Sequence, residues 1–220
     1  MKRTLFVLGL SLLLSPAAVK ADIVSVTGPA TIVSPPATVE TQDATALAFD
    51  EQSLVLSSPV AVNISAPGVY ASIASLTSGT IPAGTAVSSF YYHSFGLDTA
   101  GTVFDGSITF STPILGVEAL AASLIATNSI LGSPTTTYFS SDIGQSFEFG
   151  TQIDSVTISP DRLTLSFDNE TFNAPDDLRI ITARPEVAAT PEPSSLLLLT
   201  LGLIALIASA RLSSRAIHRG

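Results

Sequence analysis

The sequence predicts a mainly β protein, an antiparallel β-sandwich of jelly-roll-like kind, with an apolar sorting segment at each end. Three observations predict it. Short runs of period two recur through the middle of the chain, separated by Gly/Pro turns such as PAG and DTAG. One pair of runs, DSVTISPDRLTLSFD (Asp154–Asp168), has the pattern of a hairpin. Both chain ends carry long apolar stretches next to basic residues, unlike anything between them.

The first element is a secretory leader. Lys2 and Arg3 form its positive start and TLFVLGLSLLL its apolar stretch. SPAAVKA then breaks the helix at Pro16 and supplies small residues. Cleavage is expected after Ala21, so residues 1–21 are a signal peptide, to be removed by signal peptidase after export. The apolar run is shorter than the ~20 residues a membrane span needs.

Residues 22–45 carry Pro29, Pro35 and Pro36 and few bulky side chains. They read as an extended lead-in with room for one edge strand. Residues 46–183 form the expected β-sandwich domain. Its strands are predicted at Ser53–Ser57, Val60–Ile64, Ala86–Phe95, Gly106–Ser111, Ile114–Val117, Ser146–Gly150 and Leu178–Thr182. In the hairpin, Val156 and Ile158 alternate with Thr157 and Ser159, and Leu163, Leu165 and Phe167 with Thr164 and Ser166. Pro160 and Asp161 suit the centre of a type I turn. Val117–Gly132 is ambiguous: its Ala and Leu content suits a helix, but a strand end, a loop and one helical turn fit as well.

Residues 184–193, RPEVAATPEP, are a Pro-rich linker, extended and semi-rigid. Residues 194–210 are expected to form a single transmembrane helix. Its apolar part, Leu196–Ala210, spans about 22 Å, and about 25 Å with the two preceding serines. That is short for a core of about 30 Å but usable with arginine snorkelling. Residues 211–220 are a basic tail, and Arg211, Arg215 and Arg219 place it on the cytoplasmic side. The domain then lies outside that membrane, as the leader independently requires.

Between the two ends, residues 22–190 hold 17 acidic side chains against Arg162, Arg179 and Arg184, a formal charge of −14 with no lysine. Such a segment is repelled by a phosphate backbone, which excludes nucleic acid as a partner. No cysteine occurs, so disulfides and zinc–thiolate sites are excluded and stability must come from a hydrophobic core.

Catalytic signals are sparse. The segment has one histidine, His93, inside the aromatic run FYYHSF, and neither G-x-S-x-G nor H-E-x-x-H. A packed histidine is the expected reading. Acid pairs suitable for a glycoside hydrolase abound, but this chain has no Trp and only four Tyr to line sugar subsites. For Ca²⁺, Asp168 and Glu170 with Asp176 and Asp177 end neighbouring strands and are weak candidate ligands. Tyr91 and Tyr92 face opposite sides of one strand, so one of them can be exposed as a sugar platform. A Ser/Thr-rich surface without lysine also suits hydrogen bonding to hydrated polysaccharide. Two sequons, at Asn63 and Asn169, are read as chance.

TPEPSS (Thr190–Ser195), the apolar helix after it and the basic end resemble the sorting signal of the PEP-CTERM family of bacterial proteins. The resemblance implies an exosortase partner, a membrane-embedded protease and transpeptidase that reads Pro191, Glu192 and Pro193. It also implies that the helix is a handle removed later, and that the product stays with the cell surface or extracellular polysaccharide. The alternative is a permanent single-span anchor with a rigid spacer. Two prolines hold the recognised stretch extended just outside the membrane, which is the shape a protease needs.

From about Val87 to Thr182 the chain also resembles a domain found in such proteins and in other secreted bacterial chains, through SFYYHSF, GSITFSTPILGV, TNSILGS, DSVTISPDRLTLSF and DLRIIT. That domain has no assigned activity. Its members often carry His-Phe-Asp where this chain has His93-Ser94-Phe95. The expectation is therefore an exported, non-enzymatic surface or matrix protein without a resident cofactor. It is anchored transiently in the inner membrane, then held at the cell surface or outside. A carbohydrate- or Ca²⁺-dependent binding module and a secreted glycoside hydrolase are the alternatives.

Overall fold

Twelve strands, one α-helix and one 3-10 turn (Ile73–Ser75) are seen in a computed structural model, which describes residues 21–39, 45–97, 101–140, 146–150, 154–172, 174–185 and Gly202. The leader before Ala21, the motif Pro191–Glu192–Pro193, the expected span apart from Gly202, and Arg211, Arg215 and Arg219 lie outside the described residues. Among the described residues no helix is long and apolar enough to cross a membrane. Residues 21–185 belong to one unit, Val19–Glu186.

The strands are β1 (Ile23–Thr27), β2 (Ala30–Ile32), β3 (Thr45–Val55), β4 (Val60–Val62), β5 (Gly68–Tyr70), β6 (Gly79–Ile81), β7 (Ala86–Phe95), β8 (Thr102–Phe110), β9 (Ile114–Glu118), β10 (Ser155–Ile158), β11 (Thr164–Thr171) and β12 (Pro175–Ala183). Helix α1 (Ala121–Leu131) lies between β9 and β10. A first sheet has the order β1-β8-β11-β10-β5 and a second the order β2-β3-β7-β12-β9, with β4 and β6 as a small side ribbon. The two five-stranded sheets pack face to face, as the alternating patterns require. Phe104, Ile108, Phe110, Val156, Leu165 and Phe167 from the first sheet meet Ala48, Phe90, Tyr92, Leu178 and Ile180 from the second in one core. Tyr92 and Phe167 stack across the gap with ring centres 4.2 Å apart, and Phe90 and Phe110 at 4.9 Å. Each such ring contributes about 1.5–3 kcal/mol by leaving water.

The expected hairpin is β10–β11, with Ile158 opposite Leu165 and Val156 opposite Phe167. Arg162 N–H donates to Ser159 O at 2.9 Å, and Arg162 itself has φ 62°. This is a type I turn followed by a left-handed residue. The strain of an L-residue there is offset, because the Arg162 guanidinium donates to Ile114 O and Ser65 O at 3.0 and 2.6 Å.

Three features differ from the sequence reading. The sandwich is not wholly antiparallel: β2 runs parallel to β3, with Ala30 opposite Ala46. The lead-in makes two strands, one at the edge of each sheet, and crosses between them at Gly28–Pro29. Having crossed, β2 must enter the second sheet in the direction the turn dictates. Ser146–Gly150 is no strand. Phe149 makes only a lone bridge, the Asp154 carboxylate takes Glu148 N–H at 2.6 Å, and Phe147 N–H donates to Ala119 O at 3.2 Å, while Phe147 and Phe149 reach the core.

The ambiguous stretch resolves into α1. Ala121, Leu124, Thr127 and Leu131 form its buried stripe at helical spacing. Its start has no cap of its own. Asn63 supplies one from across the fold: Oδ1 accepts Ala119 and Leu120 N–H at 2.9 and 3.1 Å, and Nδ2 donates to Ser123 Oγ.

Candidate functional site

Polar side chains gather in three places. The first is the outer face of the second sheet. Strand alternation puts Tyr91 and His93 of β7, Asp177 and Arg179 of β12, and Glu51 of β3 on that face. Helix α1 and the segment after it cover it. Arg179 is fully buried, and its Nε and Nη2 donate to the two Glu51 carboxylate oxygens, both at 2.8 Å. Its Nη1 donates to Leu124 O and Thr127 Oγ1, and Nη2 to Asn128 Oδ1, all on α1. The Tyr91 and Tyr138 rings lie 5.2 and 5.4 Å from the guanidinium carbon. Burial opposes the Arg179 charge, but the Glu51 carboxylate outweighs it and raises the pKa above the ordinary arginine value. Beside it, Tyr91 O–H donates to Asp177 Oδ2 at 2.9 Å, and His93 Nδ1 lies 2.7 Å from Asp177 Oδ1. Tyr91, His93 and Asp177 are all sealed from solvent.

The second place is one end of the sandwich, where Glu148, Asp154 and Asp176 bring carboxylate oxygens within 4.8 Å of one another. Asp154 is held by Glu148 N–H and Glu170 N–H, and Asp176 by Asn169 Nδ2 at 3.1 Å. Three such oxygens can hold a hard divalent cation such as Ca²⁺, which needs six to eight in all. Burial first, then Asp154 and Glu148, push the Asp176 carboxyl up to about 10. Burial likewise raises Asp154 and Glu148.

A stability change with pH follows. Asp176 keeps its proton in the folded chain over a range where the unfolded chain, at about 3.9, has lost it. Its contribution is complete below pH ~4 and declines as pH rises toward about 10. Glu118, raised to about 7 chiefly by burial, pushes the same way. Urea midpoints are expected to fall steadily from pH 5 to pH 9 without divalent cations. Asp176→Asn, which can keep the Asn169 contact, is expected to flatten that slope; an unchanged slope would refute the assignment.

The third place is the outer face of the first sheet, which exposes hydroxyls and acids. Asp105 and Asp168 stand directly opposite each other there, and Glu170 faces Val103 one row along. Asp168 is pushed up to about 6 by burial and then by Asp105.

The four residues weighed as a shared ion site are therefore parted. Asp168 and Glu170 sit on the outer face of the first sheet. Asp176 turns inward to Asn169, and Asp177 turns to the outer face of the second sheet. Asp176 joins Glu148 and Asp154 instead. Neither Tyr91 nor Tyr92 is exposed: α1 and its following segment cover one face and the first sheet the other. His93 is packed, as expected. Both sequon asparagines are engaged, Asn63 as the helix cap and Asn169 fully buried between Tyr92, Ser94 and Asp176. Sequence reasoning missed Glu51 and Arg179. The signal was a single arginine inside the apolar strand LRIIT, which requires a buried acid partner.

Ala21 borders Asp22, whose N–H donates to Ser111 Oγ at 3.0 Å at the start of β1.

A family model of the PEP-CTERM protein-sorting motif matches residues 189–212. No curated protein and no solved structure matches the chain.

Proposed function

We propose that this chain, which carries a PEP-CTERM protein-sorting motif at its C-terminus, is a non-enzymatic surface or matrix protein retained among extracellular polysaccharide. The motif itself implies export and exosortase processing. It is the observation that carries the reading. On this proposal the leader is cut after Ala21, the tail spans the inner membrane with its arginines inside, and exosortase removes the helix near Pro191–Pro193. The frame is a jelly-roll-like sandwich, supported by strands β7, β8 and β9 crossing between the sheets in turn. The sealing of His93 with Asp177 speaks for a structural histidine and against a catalytic one.

The Glu148–Asp154–Asp176 trio favours a second reading, a Ca²⁺-dependent binding module. At pH 8 that reading expects millimolar Ca²⁺ to raise the thermal midpoint of wild type and not of Asp176→Asn.

The main reading is tested by intact mass and fractionation in the native host, with and without its exosortase. The expected product begins at Asp22, ends near Glu192 and lies outside the inner membrane only when the exosortase is present. A product still ending at Gly220 in the membrane of both strains overturns it.

A further inference from the structure

The two sheets differ in what lies outside them. The second is covered by α1; the first presents its outer face to solvent. That face is ordered in rows across strands. Thr27, Ser107, Ser166 and Thr157 stand side by side from β1 through β8 and β11 to β10. Ser25, Thr109 and Thr164 form a second row. Neighbouring hydroxyls are within bonding distance, Thr27 with Ser107 at 2.9 Å and Thr109 with Thr164 at 3.2 Å. Each such pair spends one O–H between its two hydroxyls, so a second O–H and several lone pairs face outward. Strands repeat every ~4.8 Å and rows every ~7 Å, which makes a regular lattice of donors and acceptors.

At one end of the lattice the rows become acidic: Asp105 opposite Asp168 with Ser155 beyond, then Glu170. Like charges directly opposed across a sheet destabilise it until a cation meets them. No lysine exists in residues 22–190, Arg162 and Arg179 are engaged elsewhere, and the Arg184 backbone pairs with Ala86 at the end of β7 in the second sheet. Asp168 can relieve its repulsion with Asp105 by holding a proton toward pH 6; above that, a counter-charge from outside the domain is what would meet this end. A neutral chain would leave the acids unmet, and an anionic one would be repelled by a segment of formal charge −14.

We propose that the outer face of the first sheet docks an amine-bearing polysaccharide, its hydroxyl rows meeting sugar hydroxyls and Asp105, Asp168 and Glu170 meeting sugar ammonium groups. The proposal rests on the reading that the chain works among extracellular polysaccharide. The raised carboxyl of Asp168 agrees with it, since a bound ammonium restores the charged form.

The test uses the full chain in mild detergent on three immobilised probes: a glucosamine polymer, the same polymer fully N-acetylated, and alginate with and without Ca²⁺. Retention is expected on the amine polymer at pH 6 and low salt, falling as salt rises. The double variant Asp105→Asn/Asp168→Asn relieves a repulsion, so it should fold, and should bind about tenfold more weakly. The control Asp22→Asn/Asp50→Asn removes the same charge elsewhere and should bind like wild type. Equal retention on the acetylated polymer overturns the ammonium assignment, and so does retention on alginate only with Ca²⁺. An equal loss in both double variants shows net charge rather than this face, and overturns the docking surface. No retention on any probe overturns the partner class, while fractionation in the exosortase strains still decides the sorting reading separately.

Discussion

Replacing Arg179 with Met is expected to cost about 3–5 kcal/mol of folding stability, the range found when one partner of a buried charge pair is removed. The reason is what the guanidinium leaves behind. Glu51 would keep its carboxylate on a covered face without a counter-charge, and Leu124 O, Thr127 and Asn128 would each lose a donor. Helix α1 rests on those bonds, so its amides should lose hydrogen-exchange protection before the strands do. Lysine should rescue little, since a point ammonium cannot repeat the two-pronged grip on Glu51 and reach α1 as well. Glu118 Oε2 also lies 3.4 Å from Arg179 Nη1, so the triple change Arg179→Met/Glu51→Met/Glu118→Met is expected to be less harmful than Arg179→Met alone, because it leaves no orphaned charge. Glu118 already has one oxygen without a partner among the described residues. A single variant within ~0.5 kcal/mol of wild type in urea unfolding would show that the network holds nothing.

Gly28→Ala is the second large change. Gly28 has φ +82°, where an L side chain is strained by about 1–2 kcal/mol. An added Cβ would also lie 2.0 Å from Asp105 O and 2.9 Å from Gly106 Cα, both backbone. β8 cannot give way there, because it is ladder-bonded to β11 along its whole length. The chain must instead lift β1 from its edge, which breaks the Thr27–Ser107 pairing and loosens the crossover into β2. The combined cost is about 2–4 kcal/mol, or a fall of roughly 4–15 °C in thermal midpoint for a domain of this size. A midpoint within about 2 °C of wild type would mean that the crossover carries little of the fold.

The β10–β11 hairpin shows why part of the fold was legible. Its apolar positions alternate on both sides of a Pro-Asp turn, and local rules suffice when partners are adjacent in sequence. β7 was legible for the same reason, as an unbroken run of β-formers. The neighbours of these strands were not. β12 pairs with β7 across 80 to 96 residues of chain, and no local rule names that partner. Ser146–Gly150 alternates like a strand and sends Phe147 and Phe149 to the core, but its Glu148 N–H bonds the Asp154 carboxylate. α1 was ambiguous because its cap comes from Asn63, more than fifty residues before it.

The candidate sites divide in the same way. Acids adjacent in sequence, Asp176 and Asp177, were separated by the pleat, which sends neighbours to opposite faces, and Asp168 and Glu170 lie on a different sheet from both. Acids distant in sequence, Glu148, Asp154 and Asp176, were brought together at one end of the sandwich.

By itself the sequence determined the strand-rich class, the acidic surface and the C-terminal sorting motif, because composition, period and a contiguous signal are properties of the chain itself. The tertiary structure alone decided that Arg179 and Glu51 share a buried face. It also decided that the hydroxyls of β1, β8, β10 and β11 align in rows, and that both tyrosines are hidden. Each of these depends on which strands pair and in what register, and register is set by the burial of a whole face at once.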